Sequence, residues 1–198
     1  MKLYYSSTSP YARKVRLVLY ELNLCALVEE IIMLPLDNPA ELLKANPLAK
    51  VPVLITDYDV PVYNSPLICR YLMSIQQAPS LLPSGADKWV VLGNEALADG
   101  MTDAAFSLVM ENLRNTDKQS LMWKARWSNA IKRSLDQIEV NLSQIDQTTI
   151  RLDHLAFGAA LSYLEFRLPK LLSADQHPNC HQWLEQFSKN PSMLATQY

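Results

Sequence analysis

Residues 50–75 read "KVPVLITDYDVPVYNSPLICRYLMSI". Two runs rich in branched residues, 50–57 and 60–63, are parted by a turn near Asp57–Asp59, the pattern of a β-hairpin. Pro52 has no N–H to give to a ladder, so it belongs at a strand start or an edge. The period then changes. Ser65 is an N-cap candidate, Pro66 suits the first helical position, and Leu67, Ile68, Tyr71, Leu72 and Ile75 form the apolar stripe of a helix. A hairpin that runs directly into a helix calls for a sheet covered by helices.

Upstream, "KLYY" at 2–5 is a short strand candidate and "STSPYARKVRLVLY" at 7–20 opens a helix. Ser9 is a good N-cap and Pro10 fits the first helical position. Tyr11, Val15, Val18, Leu19 and Leu22 share one helical face. "ALVEEIIM" at 26–33 reads as a strand, "LPLDNP" as a loop, and "AELLKA" as a turn or two of helix ended by Asn46-Pro47. Strands joined through a helix run parallel. With the hairpin, the first part is therefore a mixed four-stranded sheet under helices.

Downstream, "QQAPSLLPSGAD" at 76–87 breaks the pattern with prolines, serines and a glycine, as linkers do. Beyond it the text is helical: one long helix or two over 88–114, a seam of Trp127, Ile131, Leu135, Ile138, Leu142 and Ile145, an apolar helix at 153–168 closed by Pro169, and another at 178–189 stopped by Asn190-Pro191. The fold class is α/β plus all-α. The expected division is a sheet domain over 1–77, a linker over 78–86 and an all-helical domain over 87–198.

Composition narrows the function. The 198 residues are 49% hydrophobic and 19% charged, which is globular. A net charge of −2 argues against nucleic-acid binding. Arg13, Lys14 and Arg16 read as a solvated helix face. Cys25, Cys69 and Cys180 are too scattered for a disulfide framework or zinc site and suggest buried thiols in a reducing compartment. No apolar run approaches the ~18 residues that span a bilayer. Polar "SSTSP" and basic "RK" break any leader-like core, so a cytoplasmic protein without membrane contact is expected.

The chemistry lies in the helix starts. A helix N-terminus offers unpaired N–H groups and partial positive charge, a ready anion site. Two Ser-Pro starts in one small domain can hold two negative groups of one ligand. If the Val51–Pro52 bond is cis, Val51 offers its N–H and C=O to an extended peptide-like ligand. Ser9 either caps its helix only or also donates to the ligand, and Ser7 and Thr8 are rival donors. Asn64 is either a turn residue or part of the site. His177 and His181 flank Cys180 at a spacing that suits a metal but is better explained by a surface helix start, and no metal is expected. Asp99 and Asp103 are read as solvated or cleft-lining, and Trp123 and Trp127 as bundle core or rim.

"SPYARKVRLVL", "NPLAKVPVL" and "NSPLICRYL", in that order before a helical half, resemble the cytosolic glutathione S-transferases, in particular bacterial members with Ser-Pro at the first helix. The resemblance covers the whole chain. It implies a thioredoxin-like first domain, a homodimer, and glutathione as co-substrate with no tightly bound cofactor. The implied activity is attack of the glutathione thiolate on a small hydrophobic electrophile or a peroxide. The alternative is a non-catalytic glutathione-binding or regulatory protein of the same fold. A thiol–disulfide reductase would need a cysteine where Ser9 stands. By position, the resemblance makes Ser9 the donor to the glutathione sulfur. It places Lys50, Val51 and Pro52 along the peptide, Val51 pairing with the cysteinyl backbone. Ser65 falls at the γ-glutamyl carboxylate and Asn64 at its amine. Tyr11, Met101 and Phe106 are candidates for the second-substrate pocket. The sequence departs from the family in three places. Asn64 replaces an acidic residue and Ala49 a common glycine. "TTIRLDHLAFG" also lacks the hydroxyl of the family's S/T-x-x-D capping box three places before Asp153, leaving a cap that is shifted or missing.

Overall fold

Strand β1 (Lys2–Tyr5) organises the sheet. It pairs in parallel with β2 (Glu29–Ile32) and antiparallel with β3 (Val53–Ile55), which pairs antiparallel with β4 (Pro61–Val62), giving the order β2-β1-β3-β4. Helix α1 (Pro10–Glu21) makes the parallel crossover, α2 (Ala40–Ala45) precedes β3, and α3 (Ser65–Ile75) follows β4. The computed structural model describes residues 1–75, 81–145 and 149–198. They fall into two compact units, Met1–Leu81 with Pro191–Tyr198, and Leu82–Asn190. Of the linker read at 78–86, residues 78–80 lie outside the described residues.

The strands are shorter than the apolar runs that announce them. Cys25–Leu27 form a 3-10 turn ahead of β2. Pro52 stands outside β3, and Thr56 leaves the strand to build the turn, its Oγ1 accepting the N–H groups of Tyr58 and Val60. Pro61 is tolerated because β4 is an edge strand. Under the sheet, Tyr4, Met33, Leu42, Ala45 and Val53 form a core cluster with Val51 and Tyr63 packed against it.

Several expectations are corrected in this unit. Arg13 and Lys14 are not on a solvated face; they are 5% and 2% exposed. Residues 191–198, which the sequence reading placed in the helical domain, group with the first unit, and α8 (Pro191–Ala195) packs on α1. The Arg13 guanidinium donates to the Met193 carbonyl at 3.2 Å and the Thr196 hydroxyl at 3.4 Å. On α3 the buried face is Ser65, Ile68, Cys69 and Leu72, while Leu67 and Ile75 are exposed. Cys69 and Cys180 are buried as expected, but Cys25 is exposed, being carried by the turn before an edge strand.

In the second unit α4 (Asp87–Asn112) is one helix, followed by α5 (Leu121–Leu142), α6 (Leu152–Arg167) and α7 (Pro178–Phe187). Helix α6 is buried from Leu152 through Leu164 and packs on α4 and α7. On α5, Ile131, Leu135, Ile138 and Leu142 face the core, and Trp123 and Trp127 stack at its rim with ring centres 5.5 Å apart.

The α6 cap is shifted rather than missing. Arg151 is the N-cap, and its backbone N–H donates to His154 Nδ1 at 3.3 Å, so an imidazole three places on takes the part that the acidic residue plays in the family's box. Asp153 is fully buried. It pairs with the Arg151 guanidinium at 3.0 Å and accepts from Asn94 at 2.9 Å; Asn94 accepts from Asn141, and Asn141 from Gln137. A buried carboxylate is tolerable only when its oxygens are satisfied in this way.

Candidate functional site

The ladder registers bring the three marked segments to one end of the sheet. Tyr4 lies opposite Val53, so the segment after β1 (6–9) emerges beside the segment before β3 (50–52). Leu54 lies opposite Val62, so the segment after β4 (63–65) emerges there too. Neighbouring strands are about 4.8 Å apart, so β1 to β4 spans roughly 10 Å. An extended tripeptide covers about the same length.

Ser9 caps α1. Its Oγ accepts the Ala12 N–H at 3.2 Å and its carbonyl accepts the Arg13 N–H at 2.9 Å, closing the first turn of α1. The cap uses a lone pair of the hydroxyl and leaves its proton to donate. Pro10 at the first helical position has no N–H to satisfy. Ser7 and Thr8 are exposed in the preceding turn, and the Thr8 hydroxyl lies 3.4 Å from that of Ser6.

The 46–52 loop is organised by a residue that the sequence reading used only as a helix stop. The Asn46 side chain accepts the Leu48 N–H at 3.0 Å and donates to the Lys50 carbonyl at 2.8 Å, while the Asn46 carbonyl accepts the Ala49 N–H at 2.9 Å. The signal was present: Asn before Pro favours a turn in which the side chain bonds the backbone two residues on. Ala49 takes φ 52°, in the left-handed region that glycine occupies without penalty. The Val51–Pro52 bond is cis, and β3 begins only at Val53. The Lys50 side chain is exposed and Pro52 is buried.

At α3 the cap is Asn64, not Ser65. Asn64 Oδ1 accepts the Leu67 N–H at 3.3 Å and its carbonyl accepts the Ile68 N–H at 2.9 Å. Asparagine caps as well as serine, and proline is tolerated anywhere in the first turn. The helix therefore starts one residue earlier than read, with Ser65 as its first residue. Tyr63 and Val51 pack on the same apolar cluster, which ties the 50–52 and 63–65 backbones to one base.

The remaining candidates differ in burial. Met101 is 1% exposed, in the core of the second unit on the α4 face that carries Ala98 and Ala105, and it presents no surface to a ligand. Phe106 is 41% exposed on α4, and Tyr11 is half-buried on α1. Asp99 is half-buried and Asp103 exposed. His177 is buried with Nε2 3.0 Å from Asp136, while His181 is exposed. Burial pushes the Cys180 thiol far above its ordinary range, and its hydrogen bond to the Glu139 carboxylate and that carboxylate's charge add to the rise. Glu139 itself caps α7, accepting the Asn179 and Cys180 N–H groups at 2.7 and 2.8 Å. Among the described residues, no group of three His, Cys, Asp or Glu side chains is placed to hold a metal, and no helix is long and apolar enough to cross a membrane.

Comparison with known proteins locates this arrangement. Residues 3–80 match the family described as glutathione S-transferase, N-terminal domain. The chain is 36% identical over 170 residues to the uncharacterized GST-like protein YibF of Escherichia coli K12, covering 84% of this chain and 83% of that one. Among solved structures, it superposes on a glutathione transferase family member from Pseudomonas fluorescens Pf-5 with bound glutathione (TM-score 0.92, 32% identity, 99% and 98% of the two chains). It also superposes on a glutathione S-transferase from Methylobacillus flagellatus KT with glutathione bound (TM-score 0.91, 34% identity, 99% and 98%).

Proposed function

The chain belongs to the glutathione S-transferase family, and from that premise we propose that it binds glutathione across the open end of its sheet and activates the thiol for attack on a small hydrophobic electrophile or a peroxide. The observation that carries this reading is the meeting of Ser9, Val51 and Ser65 at one end of the sheet, on a span that matches an extended tripeptide. The sulfur lies at Ser9, the cysteinyl backbone along Val51 beside Pro52 and Lys50, the γ-glutamyl carboxylate at Ser65, and the amine near Asn64. The protein acts as a cytoplasmic homodimer and uses glutathione as a co-substrate.

The energetics are sufficient. A free thiol ionises near pH 8.5, and each unit of depression takes ~1.4 kcal/mol, so two units need roughly 2.7 kcal/mol. A helix N-terminus contributes ~0.3–1 kcal/mol, up to ~2 where partly buried. A hydrogen bond to a charged acceptor contributes ~1.5–3 kcal/mol. The dipole alone falls short, and the Ser9 proton closes the gap. Serine cannot form a mixed disulfide, so the thiolate's partner is an electrophile or a peroxide and not a disulfide.

A second reading, glutathione binding without turnover, is favoured by one observation. Asn64 Oδ1 is already committed to the Leu67 N–H, which weakens its hold on the ligand amine. Retention on immobilised glutathione and a thermal shift at millimolar ligand test binding; turnover of an aryl halide or a hydroperoxide then tests catalysis. Retention without turnover across such a panel selects the second reading, and no retention at all removes both.

A further inference from the structure

We infer that segment 191–198 positions Ser9, acting through Arg13, so that Arg13 and Tyr198 are positioning residues for thiol activation. The inference rests on the reading of Ser9 given above. Arg13 closes the first turn of α1 with its backbone, its N–H donating to the Ser9 carbonyl at 2.9 Å. Its side chain is buried against residues 191–198. There the guanidinium donates to the Met193 carbonyl at 3.2 Å and the Thr196 hydroxyl at 3.4 Å, and lies 4.5 Å over the Tyr198 ring. Thr196 passes its own proton to the Ser192 carbonyl at 2.8 Å, so it accepts from Arg13 and donates within the segment.

The segment is fastened at two more points. Arg16 Nη2 reaches the Ala195 carbonyl at 3.5 Å, and the Ser192 hydroxyl donates to Glu21 in the last turn of α1. Contacts at Arg13, Arg16 and Glu21 thus run the length of α1, which at 1.5 Å per residue is about 12 Å from Arg13 to Glu21. The helix is held against sliding and tilting. That matters at Ser9 because hydrogen bonds weaken steeply with distance and angle, and the field of a helix end falls off within one turn. Pro10 gives the first turn no N–H, so the turn is closed through Ala12 and Arg13. Releasing Arg13 loosens the turn that aims the hydroxyl, while the carboxylate contact at Ser65 and the backbone contact at Val51 stay in place.

The test compares Arg13→Met, Arg13→Lys and Tyr198→Ala with Ser9→Ala and the unaltered protein. Thiolate absorbance of enzyme-bound glutathione is titrated against pH, and glutathione affinity is measured by calorimetry. Tyr198→Ala removes the phenol under the guanidinium, leaves Arg13 itself in place, and guards against an Arg13 variant that fails to fold. Arg13→Met and Tyr198→Ala are expected to raise the pKa of the bound thiol by about one unit, a roughly tenfold loss of thiolate below that pKa, with affinity changed less than about twofold. The rate deficit disappears at high pH, where the thiol ionises unaided. Arg13→Lys keeps the charge but loses the fork and recovers part of the effect. If Ser9→Ala raises the thiol pKa while folded Arg13→Met and Tyr198→Ala leave it unchanged, the positioning role is refuted and the role of Ser9 stands. If Ser9→Ala itself changes nothing, the reading of Ser9 fails and the inference goes with it.

Discussion

Replacing Asn64 by aspartate is expected to tighten glutathione binding about fivefold. The Asn64 amide oxygen already accepts the Leu67 N–H as the α3 cap, so a ligand ammonium shares a neutral acceptor with the helix. Aspartate caps as well as asparagine, so the start of α3 is kept, and its second oxygen is free for the ligand. The bond to Asn64 already has one charged partner, so what aspartate adds is the attraction between two opposite charges. Coulomb's law puts this at about 1 kcal/mol for two unit charges 4 Å apart in a water-like medium. Asn64 is exposed, so the water-like value applies. A gain of about 1 kcal/mol lowers Kd roughly fivefold. Calorimetric titration with glutathione at low salt reads it directly, and the gain should shrink at high ionic strength because the pair is screened. Asn64→Ala serves as the comparison: it loses the cap and about 1 kcal/mol of stability. An Asn64→Asp protein that folds normally but binds glutathione no more tightly, at any salt, would show that the ligand amine is not at Asn64.

Ser9→Ala removes an N-cap and a thiol donor together. It should cost ~0.5–2 kcal/mol of stability in urea unfolding and slow conjugation about tenfold or more near neutral pH; an unchanged rate takes Ser9 out of the chemistry. Ala49→Gly relieves a left-handed alanine worth ~1–2 kcal/mol against ~0.5–1 kcal/mol of added chain entropy. A net gain of about 0.5–1 kcal/mol is expected, and a lower unfolding midpoint contradicts it. Glu111 accepts the Ser120 N–H at 2.6 Å and pairs with Arg114 at 3.0 Å; these contacts hold its carboxyl below the ordinary 4.5. A depressed carboxylate stabilises the fold above its unfolded pKa and loses that contribution as pH falls through the folded one. Glu111→Gln should therefore be less stable than the unaltered chain above pH 4.5 and converge with it in more acidic solution, whereas a difference that persists there argues against the pairing.

What the sequence disclosed was local. The period change inside residues 50–75, the helix starts and the α5 seam each follow from neighbours a few positions apart, and the mixed character of the sheet followed from them, while the strand order came only with the structure. Register at α3 was ambiguous because Asn64 and Ser65 both cap well and Pro66 suits either frame, so only the hydrogen bonds decide. Arg13 reads as a surface charge because its partners Thr196 and Met193 lie 183 and 180 positions along the chain. The α6 cap misled for a similar reason. A histidine took the acidic residue's place one position later, and Asp153 was satisfied by Asn94 on another helix. Met101 looked like a pocket residue by type, yet its place on α4 beside Ala98 and Ala105 put it in the core. Ala49 needed no structure beyond its family position to be suspected, and its positive φ agrees.

The most direct measurement is the crystal structure of this protein grown with glutathione. The expected density runs across β1, β3 and β4, its sulfur within hydrogen-bond distance of Ser9 Oγ and its γ-glutamyl carboxylate on the Ser65 N–H and hydroxyl. A tripeptide bound elsewhere, or one whose sulfur points away from Ser9 while both helix starts are filled by the protein's own side chains, contradicts the assignment.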